Sequence, residues 1–357
     1  MRIKLLLTIV VIFLLSGCVE KEVIDDVNLI VAVAYDLTEN GNIRGTADVN
    51  TYMKDQPVRD YQIIGESKLS RDVMSEMQKK SQDPLVIGKL QVALFGEKLA
   101  RKGLSEIVDT LQRDASIGER LLLAVTRDEA MTLLEGDFAT VGAARYMSNL
   151  ILHNIESRDL PRTNLHLFLY QHYSQGQDPF LPILKKNVQN GNVEIDGIVL
   201  MDDEKVVTEL PNEKLLFFKV LTDQYSKGSH TVDIPDSEDS AVVKSLSSSR
   251  KLKVISEQPL KVKIDIKLKG YINEYTGEKI TPKIKGEIIQ AFEKEMEKET
   301  LALIEKFKEL KIDPIGIGDD LRSQIRTFKI EEWRERIPEL QVDVHADITI
   351  SESGVVD

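Results

Sequence analysis

The most specific chemistry in this sequence stands at Leu15, Ser16, Gly17 and Cys18. A small residue followed by a cysteine is similar to a lipobox: Gly17 fits a peptidase pocket, and the Cys18 thiol takes a diacylglyceryl chain. Cleavage is expected between Gly17 and Cys18. Upstream, Arg2 and Lys4 precede an uncharged apolar run from Leu5 to Leu15. That run is too short for a comfortable transmembrane helix and has the length of a signal-peptide core. Residues 1–17 therefore read as a lipoprotein signal peptide and 18–28 as a lipidated tether. Cys18 is the only cysteine, so no intrachain disulfide can form and the exported part must rely on its core. Each buried acyl methylene contributes about 0.8 kcal/mol, and multiple chains give stable anchoring. No other apolar run approaches eighteen residues, so no transmembrane helix is expected.

Elsewhere the chemistry is sparse. His153, His166, His172, His230 and His345 are the histidines, and no two have a zinc-binding spacing such as H-E-x-x-H. No G-x-S-x-G elbow is present, and lipidation consumes the only thiol. Gly316, Ile317 and Gly318 form a lone G-x-G that follows a helix, so a dinucleotide reading fails on context. The Asp313-Pro314 pair is expected to stop the preceding helix and the glycines to turn the chain. Asp202, Asp203 and Glu204 read as a solvated turn, and Glu331 and Glu332 as a helix start; neither has calcium-loop spacing. Trp333 falls at helical spacing with Ile330 and Ile337, which suits a core or domain contact. These readings give no catalytic residues, no metal site and no cofactor; the chain is expected to bind and not to catalyse.

The elements follow from periodicity. Leu29 to Tyr35 is a continuous apolar, β-branched run, followed by a turn at Glu39 to Asn42 and by Ile43 to Tyr52, which together predict a hairpin. A second β pair is expected at Val193 to Met201 and Lys205 to Leu210. Between them, helices are predicted at Ser70 to Lys80 with Ser70 as N-cap, at Glu97 to Leu111 interrupted by Gly103, at Arg127 to Leu134, at Ala143 to Ile155 and at Leu165 to His172. Short strands are predicted at Leu90 to Phe95 and Leu121 to Thr126, and Pro179 and Pro182 break the pattern. Ser226 to Ser249 is rich in Ser, Asp and Gly and reads as a linker or long loop. Strict alternation at Val262 to Leu268 and Val342 to Ile350 predicts half-buried strands, suited to antiparallel pairing. Between them an amphipathic helix runs over 285–310, with Ile288, Ile289, Phe292, Met296, Leu303, Phe307 and Leu310 on its stripe. The expected fold class is α+β and multidomain, with three small domains whose mixed or antiparallel sheets pack against helices. The domains are 29–60 plus 190–213, an inserted α/β domain at 61–189, and an α+β domain at 214–357.

The chain carries 47 basic and 59 acidic residues, for a net charge of −12. Losing Arg2 and Lys4 with the signal takes it to −14. An acidic chain repels nucleic acid, so no nucleic-acid partner is expected, and lipid must supply the hold on the membrane.

Several segments, in order, resemble the Ger(x)C family of spore germination lipoproteins. They are the lipobox followed by Leu29 to Asp36 (LIVAVAYD), then Leu85 to Leu104 (LVIGKLQVALFGEKLARKGL), then Pro182-Ile183-Leu184 with the Gly197 strand pair. The most distinctive is Asp313 to Gly318 (DPIGIG), followed by Trp333, Pro338 and the last alternating strand up to Gly354. Family members have an aromatic residue just after the lipidated cysteine, where this chain has Val19. The resemblance implies three α+β domains, no catalytic activity, and a lipid-anchored subunit of a nutrient germinant receptor on the outer face of the cytoplasmic (spore inner) membrane. It implies two integral membrane receptor subunits as partners, with the nutrient bound by those partners, and it assigns no ligand-binding residues. The other function considered is a solute-binding lipoprotein of a membrane transporter, for which length and anchor are suitable.

Overall fold

A computed structural model describes residues 27–51, 59–136, 138, 141–187, 189–224 and 227–351. The signal, Gly17, Cys18 and most of the tether lie outside the described residues. Among the described residues no helix is long and apolar enough to cross a membrane.

The first half builds one mixed sheet. Its strands are β1 (Asn28–Leu37), β2 (Ile43–Thr51), β3 (Arg59–Ser67), β4 (Leu85–Val86), β5 (Val92–Gly96), β6 (Leu122–Thr126), β7 (Phe180–Lys186), β8 (Val193–Asp202) and β9 (Lys205–Leu210). The order across the sheet is β3-β2-β1-β5-β6-β7-β8-β9, with β4 paired to β1. The inner strands β1, β5, β6 and β7 run parallel, while β2, β3, β8 and β9 add antiparallel wings. Helices α1 (Ser70–Gln78), α2 (Glu97–Lys102), α3 (Ser105–Arg113), α4 (Met131–Leu134), α5 (Ala143–Ser157) and α6 (Leu165–Tyr173) lie in the connections. Burial on both faces explains why β1, β5 and β6 read as unbroken apolar runs. Ile30, Val33, Ala93 and Phe95 face a core closed by α1, α3 and α6. Val31, Ala34, Val92 and Leu94 face the opposite core with α5.

This sheet corrects the expected division of the first half. Segments 29–60 and 190–213 do not form a sheet apart from 61–189; β5, β6 and β7 of the supposed insert lie between β1 and β8. Alternation within each strand was legible, but the order of strands depends on crossover connections. Pro182 does not end the pattern either. It lies within β7, where a register shift between Pro182 and Leu184 absorbs the missing N–H. Ser70 is the first helical residue and not the cap; its hydroxyl turns to the Glu106 carbonyl at 3.1 Å and to Thr110 Oγ1 at 3.0 Å on α3. The helix expected over Arg127 to Leu134 shrinks to the single turn of α4.

Helix α7 (Leu215–Thr222) leads to a second sheet of β10 (Gly228–Asp233), β11 (Ser240–Glu257), β12 (Leu260–Tyr275) and β13 (Gln341–Ile350), ordered β10-β11-β12-β13. The expected linker at Ser226 to Ser249 is therefore two strands over 228–233 and 240–249. Its serines occupy a pleat where Ala241, Val243, Ser245 and Ser248 point inward, and small polar residues fit that half-buried surface. The expected antiparallel pairing is also corrected at one place: β12 and β13 are parallel. Alternation reports one-sided burial and not strand direction. The crossover is α8 (Pro282–Leu310), which starts three residues earlier than expected because Thr281 caps it with Pro282 in its first turn. Ile288, Phe292, Met296, Leu303 and Phe307 are buried as the stripe requires, whereas Leu310 is exposed. Helices α9 (Ile317–Gln324) and α10 (Trp333–Arg336) complete the chain before β13. One apolar cluster runs from the α5 face of the first sheet through Phe217 and Phe218 of α7 to Val262, Ile264 and Phe292 of the second. The two sheets thus share a core.

Candidate functional site at the junction of the two sheets

Asp313 is the hub of this junction. Helix α8 ends at Leu310 with Lys311 in the left-handed region, and the chain turns inward. Asp313 is only 4% exposed. Its carboxylate accepts from Ile317 N at 3.0 Å, Gly318 N at 2.7 Å and Trp333 Nε1 at 2.9 Å. Burial pushes this carboxyl up to about 6, against those three donors, which act to lower it. Gly316, at φ +74°, opens α9 in a conformation that favours glycine. Gly318 is glycine for space: a Cβ there would lie 2.5 Å from the Trp333 indole and 2.9 Å from Gly176 Cα. The G-x-G is thus a packing device around Trp333.

Asp178, just before β7, ties this hub to the first sheet. Its backbone N donates to Asp313 O at 2.9 Å, and its carboxylate accepts from Asp313 N at 2.6 Å. Arg334 Nη2 lies 2.7 Å from Asp178 Oδ1, and its Nη1 reaches Asp202, the last residue of β8, at 2.5 Å. Burial raises the Asp178 carboxyl and the Arg334 charge opposes the rise. Around this core, Ser174 and Tyr170 donate to Asp319 at 2.8 and 3.3 Å. Arg250 of β11 pairs with Asp320 and donates to Ile315 O. A cleft of about 650 Å³ borders the clasp, lined by Gln171, His172, Asp203, Glu331 and Arg334 among others.

Two further polar centres serve the same scaffold. Lys219 of α7, 2% exposed, donates to Ile155 O at 2.7 Å and Arg158 O at 2.6 Å. It thereby places a cation on the carbonyl end of α5, and burial lowers its pKa. Asp36, at the carboxyl end of β1, accepts from Ala130 N at 2.6 Å and Met131 N at 3.1 Å. Gly96 leaves room for it, since a Cβ there would come within 2.3 Å of Asp36 Oδ1.

The histidines are dispersed. His172 approaches Asp203 at 2.8 Å, His230 Glu295 at 3.0 Å and His345 Glu297 at 3.1 Å. His166 faces Glu119 at 3.9 Å and His153 is exposed. Among the described residues no three His, Cys, Asp or Glu side chains converge on a common point. Of the expected turn, Asp203 and Glu204 form it, whereas Asp202 ends β8 opposite Lys205 and holds Arg334. Sequence reasoning placed Trp333 at a core contact and passed over Asp178, Arg334 and Lys219. Only the D-P-I-G-I-G run with a tryptophan downstream signalled the clasp.

What this arrangement does chemically is hold two α+β units in one orientation through buried charge-assisted hydrogen bonds. That defines an α+β scaffold whose conspicuous polar site is a joint. The first family model, described as the spore germination protein N-terminal domain, matches residues 20–186. A second, described as spore germination B3/GerAC-like C-terminal, matches 196–354. The chain belongs to this Ger(x)C family of spore germination proteins. It is 32% identical to spore germination protein GerQC of Bacillus cereus over the full length of both chains. It is 22% identical to spore germination protein KC of Bacillus subtilis, over 99% of this chain and 96% of that one. The crystal structure of the GerBC protein shares the fold, with a TM-score of 0.58 at 18% identity over 89% of this chain and 96% of that chain. The boundary between the family models, near residues 186–196, falls inside the first sheet: β9 and all but the first three residues of β8 belong to the second model by sequence and to the first unit by pairing.

Proposed function

We propose that this protein is the lipid-anchored, non-catalytic subunit of a spore nutrient germinant receptor, assembled with two integral membrane subunits. The observation that carries this reading is the lipobox at Leu15 to Cys18, standing directly ahead of two germination-protein domains that fill the rest of the chain. Diacylglyceryl on Cys18 confines the protein to the outer face of the spore inner membrane. Confinement to a plane raises its effective concentration beside membrane partners without requiring a strong contact. The shared core and the clasp make the exported part a rigid body, suited to stabilising or coupling its partners. Nutrient is bound by those partners and not tightly by this chain.

The test is capture of the C-terminally tagged protein from spore membranes in mild detergent. Polytopic subunits of the receptor type are the expected companions. An ATP-driven permease in their place would make the chain a transporter's solute-binding lipoprotein. Replacing Cys18 with serine is expected to move the protein from the membrane to the soluble fraction and to abolish the nutrient response.

A further inference from the structure

Strands β11, β12 and β13 send alternate side chains to opposite faces of the second sheet. The inner face carries Val243, Val262, Ile264 and Ile348 beneath α8. On the outer face the register sets Lys244 opposite Tyr271, Lys251 opposite Asp265 and Lys253 opposite Lys263. It continues with Lys261 opposite Gln341, Lys263 opposite Asp343, Lys267 opposite Asp347 and Lys269 opposite Thr349. Seven lysines and three aspartates thus share one face of a chain whose net charge is −12. Asp233 and Glu274 stand at its far end, beside β10. Lys253 and Lys263 bridge to Asp265, Lys261 to Asp343 and Lys267 to Asp347. Among the described residues Lys244, Lys251 and Lys269 form no ion pair.

Apolar residues accompany the lysines. The register of β11 shifts between Ser245 and Ser247 and again between Val254 and Ser256. The extra residues at these bulges are Leu246 and Ile255, which are 52% and 55% exposed. With α8 filling the inner side, both stand on the solvent side. Lysines flanked by exposed Leu and Ile match an anionic membrane interface, where ammonium groups meet phosphates and the apolar tips enter the acyl boundary. An acidic protein surface would reward the lysines and gain less from bare apolar tips.

We propose that this outer face docks on anionic phospholipid headgroups and sets the orientation of the anchored protein. The proposal rests on the reading that lipid on Cys18 holds the chain to the membrane. Residues 18–27, which lead into β1, extend at most about 36 Å, against a radius of gyration of roughly 20 Å for a chain of this size. A lipid at one end of the chain does not by itself set the orientation of the body, and surface charge then selects among the faces within that reach. Each lysine near an anionic surface favours contact by about fivefold.

The test reconstitutes the full lipidated chain in phosphatidylglycerol or phosphatidylcholine vesicles and acetylates its lysines, with modification read by mass spectrometry. Labelling of Lys244, Lys251 and Lys269 is expected to fall severalfold on phosphatidylglycerol alone, and to recover in about 0.5 M salt, where screening is short-ranged. In a K251E/K269E variant, Lys253 and Lys263 are expected to regain the labelling seen on phosphatidylcholine. Equal labelling on both vesicles, by a chain that stays with them, overturns the docking face alone. Loss of the chain from the vesicles at high salt overturns the anchor and, with it, the orientation. Protection found only in native membranes that contain other proteins overturns the lipid in favour of an acidic protein partner.

Discussion

Trp333 is 2% exposed and gives its one polar atom to Asp313. A buried carboxylate that loses a donor bears an uncompensated desolvation cost. Trp333→Phe keeps most of the ring and removes the donor, so a loss of about 1–3 kcal/mol is expected. Because Trp333 is the sole tryptophan, the loss should be followed by circular dichroism in urea and not by indole fluorescence. Asp313 also gives the fold a pH dependence. Its folded-state pKa is about 6 against an ordinary value of 3.8. Between those values the folded protein keeps a proton that the unfolded chain releases, so this group's contribution to stability falls as pH rises from about 4 to about 6. Asp313→Asn removes that dependence. The stability of the natural protein minus that of the variant is expected to be more positive at pH 4.5 than at pH 7, in paired urea titrations. An equal gap at both values would show that Asp313 is not held up by burial.

At the scale of elements, β13 is an edge strand beside a parallel neighbour, and exposed edges invite pairing with other chains. Helix α8 covers this one. Glu297 Oε1 accepts from Ala346 N at 3.0 Å, and Glu293 Oε1 accepts from Ile348 N at 3.0 Å. Two carboxylates one helical turn apart thus occupy N–H groups that a foreign strand would use. Changing both to alanine is expected to cost about 1–3 kcal/mol and to cause concentration-dependent self-association in light scattering. A variant that is destabilised yet stays monomeric would assign these contacts to stability alone. The same helix shows what periodicity can supply. Its buried stripe was legible from Ile288 to Phe307, whereas its partner strand's direction was not.

At the scale of the molecule, the clasp and the shared core decide whether the two units move as one body. Arg334 is half exposed while Asp178 is buried, so the pair is worth less than a fully buried one, but removing the cation leaves the buried Asp178 carboxylate with only the Asp313 and Asp203 N–H donors. Arg334→Ala is expected to cost about 1–3 kcal/mol and to speed proteolysis at 174–178 and 311–316, the loops of the two units that meet at the clasp. Adding Asp178→Asn should restore part of the loss, so the double variant falls short of the sum. Full additivity would mean that the two residues act separately and that the joint depends on the apolar cluster through Phe217 and Phe218.

The sequence alone determined those features whose causes are local. A small residue before Cys18, an uncharged run of limited length, and alternation in β12 and β13 each follow from short-range chemistry, and so does the stripe of α8. The ordered segments from the lipobox to Gly354 also carried the family. The tertiary structure decided everything set by which distant segments meet. It placed β5 to β7 between β1 and β8, made strands of the serine-rich 228–249 stretch, and ran β12 parallel to β13. It also turned Asp313 from a helix stop into a buried acceptor for Trp333, brought Asp178 beside Arg334 across 156 positions, and gathered lysines from two strands onto one face. Burial, pairing order and long-range charge contacts depend on the packed chain, and no local spacing encodes them.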